Sequence, residues 1–142
     1  MKIQAKIDYA CRALVELGLH WPNVKPMQVA QIARRQKIPV GFLVHILITL
    51  KQLGYVDSIR GKSGGYVLIR SPQQIRLSDV IKNFGGLGLS PEKRSRNVRH
   101  LHVMDAVWQD LDDALLKAID SITLESICNR ERGRGGVLTY EI

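Results

Sequence analysis

Residues 60–66 read Arg-Gly-Lys-Ser-Gly-Gly-Tyr, three glycines with two cations between the apolar runs Tyr55–Ile59 and Tyr66–Ile69. Such a turn suits phosphate: lysine and arginine supply charge, and glycine lets the backbone approach closely. Two chemistries compete, a loop that cradles a nucleotide and the tip of a hairpin that touches a nucleic-acid backbone. A nucleotide loop of the G-x-x-x-x-G-K-[ST] kind needs a glycine at position 56 and a helix afterwards. Position 56 is Val, and the segment after the turn is a second β-prone run. The hairpin tip is the reading that fits.

Other residues could hold a metal or react. Asp8, His100, His102 and Asp105 offer oxygen and nitrogen donors, but His100 and His102 are two apart and point to different faces of any helix that contains both. The two cysteines, Cys11 and Cys128, form no C-x-x-C pair. Neither a disulfide framework nor a zinc-finger spacing is available. Cys11 falls in an apolar helical stretch and is expected in the core, and Cys128, beside a loose end, is the more reactive candidate. None of the four histidines sits in a nucleophile–base arrangement with Ser, Cys or paired carboxylates, so no enzyme is expected.

The elements that must position the hairpin come before it. Ile7, Ala10, Ala13, Leu14 and Leu17 are spaced for one helix face within residues 3–19, and Trp21-Pro22-Asn23 stops that helix. Pro26 opens a second helix, Met27–Gln36, burying Val29, Ile32 and Ala33. Lys37-Ile38-Pro39 connects it tightly to a third, which runs to about Leu53 and buries Leu43, Ile46, Leu47 and Leu50 before Gly54 ends it. Strands 55–60 and 66–70 follow, then a short helix at about 77–84. Residues 85–99 have no period and read as a loop, with four Lys/Arg in Pro91–His100 that are expected to be largely solvated. Leu101, Met104, Trp108, Leu111, Leu115, Ala118 and Ile122 then alternate spacings of 3 and 4, a heptad seam that a second copy could cover. Thr123–Cys128 forms a short turn of helix, and 129–142 is a charged, glycine-rich tail, loose in part.

Net charge is +8, unevenly placed. Residues 1–76 carry 12 Lys/Arg against 3 Asp/Glu, a balance of +9, while 77–142 carry 9 against 10, a balance of −1. A cationic first half favours a polyanionic partner. No apolar run is long enough to span a membrane, and Asp8 and Arg12 interrupt any signal-peptide layout, so the cytosol is the expected compartment.

Three short helices with a Pro-punctuated turn and a two-stranded hairpin make a winged helix-turn-helix. The expected fold is mainly α with a small β-hairpin, plus a long C-terminal dimerisation helix. On this plan 1–84 is the DNA-binding domain and 85–99 a loop. Residues 100–128 are the dimerisation helix and a short terminal helix, and 129–142 the tail. The third helix would enter the major groove and the wing would meet phosphate. Arg34, Arg35, Lys37, Arg60 and Lys62 are the phosphate candidates, with Gln28, Ser63, Gly64, Gly65 and Tyr66 beside them. Val40, Gly41, Val44, His45 and Thr49 are the base-reading candidates, an apolar set in which His45 is the main polar member.

The segments Asp8–Leu14, Gln28–Pro39, Gly54–Leu68, Ile75–Ile81 and Ile119–Ile127 resemble the Rrf-two family of winged-helix transcription regulators, the group containing IscR, NsrR and CymR. Asp8 before Tyr9-Ala10, with Val44 in the third helix, looks closest to the NsrR branch. The resemblance implies a homodimer on double-stranded DNA, with Leu101, Met104, Trp108, Leu111, Leu115 and Ile119 at the dimer interface. It also implies three cluster-binding cysteines before the long helix. Counted back from Thr123 those places fall near Ser90, Arg96 and His102, none a cysteine. No iron–sulfur cluster or other cofactor is therefore expected, and Asp8, His100 and His102 are left as weak metal candidates. A small-molecule or protein effector stays open, as do an unconventional metal or redox sensor on the same fold and a protein-interaction module that docks an enzyme.

Overall fold

A computed structural model of the chain describes residues 2–23, 25–89 and 102–140, with side chains through Arg134. Helix α1, Ala5–Gly18, puts Ile7, Ala10, Ala13, Leu14 and Leu17 into the core. Helix α2 is Val29–Gln36 and α3 is Val40–Gln52. Lys37 closes α2 in the left-handed conformation, φ 54°, and Pro39 precedes the first turn of α3. Leu43, Leu47 and Leu50 are fully buried on the inner face of α3. Each such side chain contributes about 2 kcal/mol of transfer free energy.

Helix α2 starts later than the Pro26 signal predicts. Met27 exchanges two backbone hydrogen bonds with Tyr66, Met27 N–H donating at 3.0 Å and Tyr66 N–H at 2.8 Å. That pairing holds the segment extended, so the helix begins at Val29. The wing is β1 (Val56–Ile59) antiparallel to β2 (Gly65–Leu68), in the register Val56–Leu68 to Ile59–Gly65. Met27 therefore lays an extra rung on its outer edge.

A 3-10 turn at Pro72–Gln74 leads to α4, Leu77–Asn83. Helix α5 is Val103–Ala118 and α6 is Leu124–Tyr140. Leu77 N–H donates to the Ile122 carbonyl at 2.9 Å and Leu124 N–H to that of Ile75 at 2.8 Å, fastening the α5–α6 corner onto α4. The Ser78 hydroxyl donates to Asp120 at 2.7 Å, and this bond first, with Arg76 beside it, holds that carboxyl below the usual carboxylate range.

The C-terminal end differs from the sequence expectation in two ways. Helix α6 continues to Tyr140 across the stretch expected to be loose. Arg132 pairs with Glu125 at 3.8 Å and Asn129 at 2.9 Å, contacts along one helix face that favour its continuation. Cys128, expected near a mobile end and reactive, is 0% exposed. Its sulfur lies where a side chain on Gly18 would be, 2.9 Å from such a Cβ, so the absent side chain lets α6 close on α1.

One glycine is fixed by the wing's construction. Gly65 has φ +147°, and a Cβ there would collide with the Met27 carbonyl. We expect Gly65→Ala to lower stability by about 2 kcal/mol or more in urea unfolding, because strain and a backbone clash add. An unchanged midpoint would contradict the Met27–Tyr66 pairing.

Candidate nucleic-acid interface

A buried carboxylate sets the helix-turn-helix. Glu16 on α1 is 4% exposed. It accepts from Arg35 Nη1 at 2.9 Å on one oxygen and from Gln36 Nε2 at 2.8 Å on the other, with His20 Nε2 4.0 Å away. Arg12, paired to Asp8 at 3.1 Å, also donates to the Gln36 carbonyl at 3.2 Å. Helix α1 thus grips the last turn of α2 through side chains and backbone. Arg35, a predicted phosphate contact, is committed to Glu16.

Helix α3 turns one face outward. Gly41, His45 and Ile48 lie near its centre and Val40 and Val44 toward one edge, all exposed. On that edge Lys51 Nζ reaches Ser58 Oγ at 2.7 Å and Asp57 at 3.7 Å, tying the helix to β1. On the other edge Phe42 meets Tyr9 of α1 edge-on, ring centres 6.1 Å apart. Thr49, predicted as a base reader, is half-buried, and its hydroxyl donates to the His45 carbonyl at 3.1 Å. Ile48 occupies the outward position that Thr49 does not. The signal for Ile48 was in the sequence, since it follows Val44 by four and Gly41 by seven, on the face opposite Leu43, Leu47 and Leu50.

The wing carries its cations at the tip. Arg60, Lys62 and Ser63 are exposed, whereas Gly64 is buried and Gly65 and Tyr66 are half-buried parts of the turn and of the Met27 rung. Gln28, another predicted contact, donates to the Lys62 carbonyl at 3.4 Å and so braces the tip. Among the described residues Arg34, Lys37, Arg60 and Lys62 have no carboxylate partner, unlike Arg12, Arg35, Lys51 and Arg76. Arg34 and Lys37 belong to the end of α2 and its C-cap, and Arg60 and Lys62 to the wing tip.

Helix α5 has a second exposed surface. Met104, Trp108 and Leu111 of the predicted seam are exposed, together with Val103 and Val107, which widen the stripe beyond a strict heptad. Leu115 is half-buried, and Ile119 packs against the core instead of lying on the free face. The turn of the helix explains it: Leu116, one step around from Leu115, is buried on the domain side, and Ile119 follows it by three. Leu101 lies outside the described residues.

Among the described residues the metal candidates do not converge. His100 lies outside the described residues. His102 caps α5, its Nδ1 accepting from Met104 N–H at 3.0 Å while the Asp105 carboxylate accepts from the His102 backbone N–H at 2.9 Å. Asp8 pairs with Arg12. Burial first, and Asp8 second, push the Cys11 thiol up to about 11, so at neutral pH it is a protonated, unreactive group. Burial also raises Cys128.

A helix pair gripping an outward third helix, followed by a basic wing, defines the winged helix-turn-helix class of DNA-binding transcription regulators. The sequence pattern of the Rrf2 family, described as an iron-dependent transcriptional regulator, matches residues 3–130, and the chain belongs to that family. It is 36% identical over 130 residues to an HTH-type transcriptional regulator of Synechocystis sp., covering 89% of this chain and 87% of that one. Its fold superposes on IscR of T. potens with a TM-score of 0.73 at 27% identity, over 92% of this chain and 88% of the other. CymR, the global cysteine regulator of B. subtilis, gives 0.71 at 28% identity, over 92% and 98%. No helix among the described residues is long and apolar enough to cross a membrane.

The family description implies iron. Thiolate-held clusters need several accessible cysteines. This chain has two, one sealed between α1 and α6 and the other half-buried and protonated, and among the described residues no three His, Cys, Asp or Glu side chains gather. These donors do not fit a cluster.

The two arginines of α2 should separate on mutation. Arg35→Ala removes a charged hydrogen bond from buried Glu16 and should cost about 2 kcal/mol of stability. Arg34→Ala should stay within about 0.5 kcal/mol while weakening duplex binding. Thermal melts of both variants with binding isotherms check the pair; equal melts would mean Glu16 does not depend on Arg35.

Proposed function

We propose that the protein is a cytoplasmic, homodimeric regulator that binds double-stranded DNA sequence-specifically and works without an iron–sulfur cluster. The observation that carries this reading is the set of cations without a carboxylate partner among the described residues, Arg34 and Lys37 at the end of α2 and Arg60 and Lys62 at the wing tip, with α2 and β1 both packed on α3. Their arrangement suits a helix in the major groove with phosphates on either side. The apolar stripe of α5 supports a second copy as its cover, and the two-fold axis of such a pair would match a pseudo-palindromic operator. Absence of a cluster rests on the donor chemistry. Asp8 and Val44 favour the NsrR branch within the family. Any response would then come from a small molecule or a protein partner.

Binding to duplexes enriched from a random pool, measured against salt, tests the proposal. Affinity should fall steeply with salt, and Lys62→Ala should flatten the slope by about one ion per protomer on every sequence. His45→Ala should instead change which sequences are preferred. Leu111→Glu should convert the dimer to monomer in sedimentation and weaken operator binding by at least tenfold. A salt-independent affinity, or a monomeric wild type with full affinity, would overturn it.

A further inference from the structure

The outward face of α3 is aliphatic where a reading helix commonly carries amides and cations. Val40 is 52% exposed, Val44 38% and Ile48 43%. They follow one another at intervals of four, so they form one ridge along the helix. A single exposed aliphatic residue is ordinary, but a ridge of three calls for an apolar contact. Its setting limits the partner. Among the described residues Arg34 and Lys37, at the end of α2, and Arg60 and Lys62, at the wing tip, have no carboxylate partner, and Lys51 ties α3 to the wing, so the occupant that suits the ridge is a polyanion with apolar points on its surface. The major groove of DNA is such a surface, its apolar points being the C5-methyl groups of thymine. Nothing obstructs close approach: a Cβ at Gly41, between Val40 and Val44, would meet no atom within 4 Å.

We propose that Val40, Val44 and Ile48 read sequence by packing against thymine methyl groups, so that the methyl pattern of the operator is the main signal recognised and His45 supplies a minor polar contact. The inference rests on the DNA-binding reading above and names what that site recognises. Side-chain chemistry favours it. Valine and isoleucine are held at χ1 by their branched Cβ, so their methyls are already in place before binding and little rotamer freedom is lost. Specificity of this kind needs no bidentate hydrogen bond. It depends on shape and on removing one methyl group from water, a contribution of about fourfold in affinity for each methyl fully buried.

Deoxyuridine provides the test, because it keeps every hydrogen-bonding group of thymine and lacks only the C5-methyl. A duplex enriched from a random pool by the full-length protein is synthesised with each thymine of one half-site replaced in turn. At two or three positions the affinity should drop about fourfold, with thymines outside the footprint unaffected. Val44→Ser, an exposed change whose folding a thermal melt verifies, should make one of those positions insensitive to the methyl and leave the others sensitive. Val40→Ser and Ile48→Ser should each do the same at a different position. The proposal is overturned if no position responds, or if the sensitive positions are the same in all three variants. Steep salt dependence without methyl sensitivity leaves the DNA-binding reading standing and removes this one. Failure to bind any duplex removes both and leaves the ridge as a protein-docking surface.

Discussion

A charged carboxylate in a protein interior must be paired, because stripping it of water costs several kcal/mol. Glu16 is in that position, and its two oxygens are met by Arg35 and Gln36 from the last turn of α2. The requirement fixes the roll and height of α2 against α1 more tightly than apolar packing alone, since Ile32 and Ala33 are the two buried side chains that α2 contributes. Everything downstream inherits that placement. The turn through left-handed Lys37 sets α3 relative to α2, and Leu43, Leu47 and Leu50 then lock α3 to the core. The placement of α3 therefore rests in part on the ion pair between buried Glu16 of α1 and half-exposed Arg35 of α2.

The wing is placed by a comparable device made from backbone. Met27 and Tyr66 exchange two hydrogen bonds, and Gly65 is the residue whose missing side chain allows it. The rung joins the start of the helix-turn-helix to the hairpin. Gln28 then reaches the Lys62 carbonyl, and Lys51 crosses from α3 to β1. Three separate ties thus hold the wing and its tip against α2 and α3, the rigidity that the proposed phosphate-and-groove contact requires.

Much of this was legible in the residues. Period 3.6 located α1 and α3, the glycines of 61–65 located the turn, and the seam of Met104, Trp108 and Leu111 is exposed in the structure. The features that escaped had physical causes. A buried glutamate looks in sequence like any surface acid, so Glu16 and its hold on Arg35 were invisible. The Met27 rung pairs residues far apart in the chain, and the Pro26 signal pointed to a helix start in its place. Cys128 sits among charged residues, and its burial depends on Gly18, a long way off along the chain. Thr49 lies half-buried and Ile48 outward because the exposed face of α3 is set by which residues are buried, and Ile48 is left over once Leu43, Ile46, Leu47 and Leu50 are assigned inward.

We propose that this fold, shared with IscR and CymR, binds DNA here without a cluster. Burial raises both thiols and leaves them poorly placed as ligands, and His102, Asp105 and Asp8 already serve helix capping and an ion pair. The most direct measurement is to purify the protein without oxygen, record its absorbance from about 300 to about 700 nm, assay iron and zinc, and measure duplex affinity before and after an iron chelator, on the same sample. A colourless protein without stoichiometric metal, whose affinity the chelator leaves unchanged, is the result the account predicts. A visible charge-transfer band with bound iron, and an affinity that changes when the iron is removed, would contradict it.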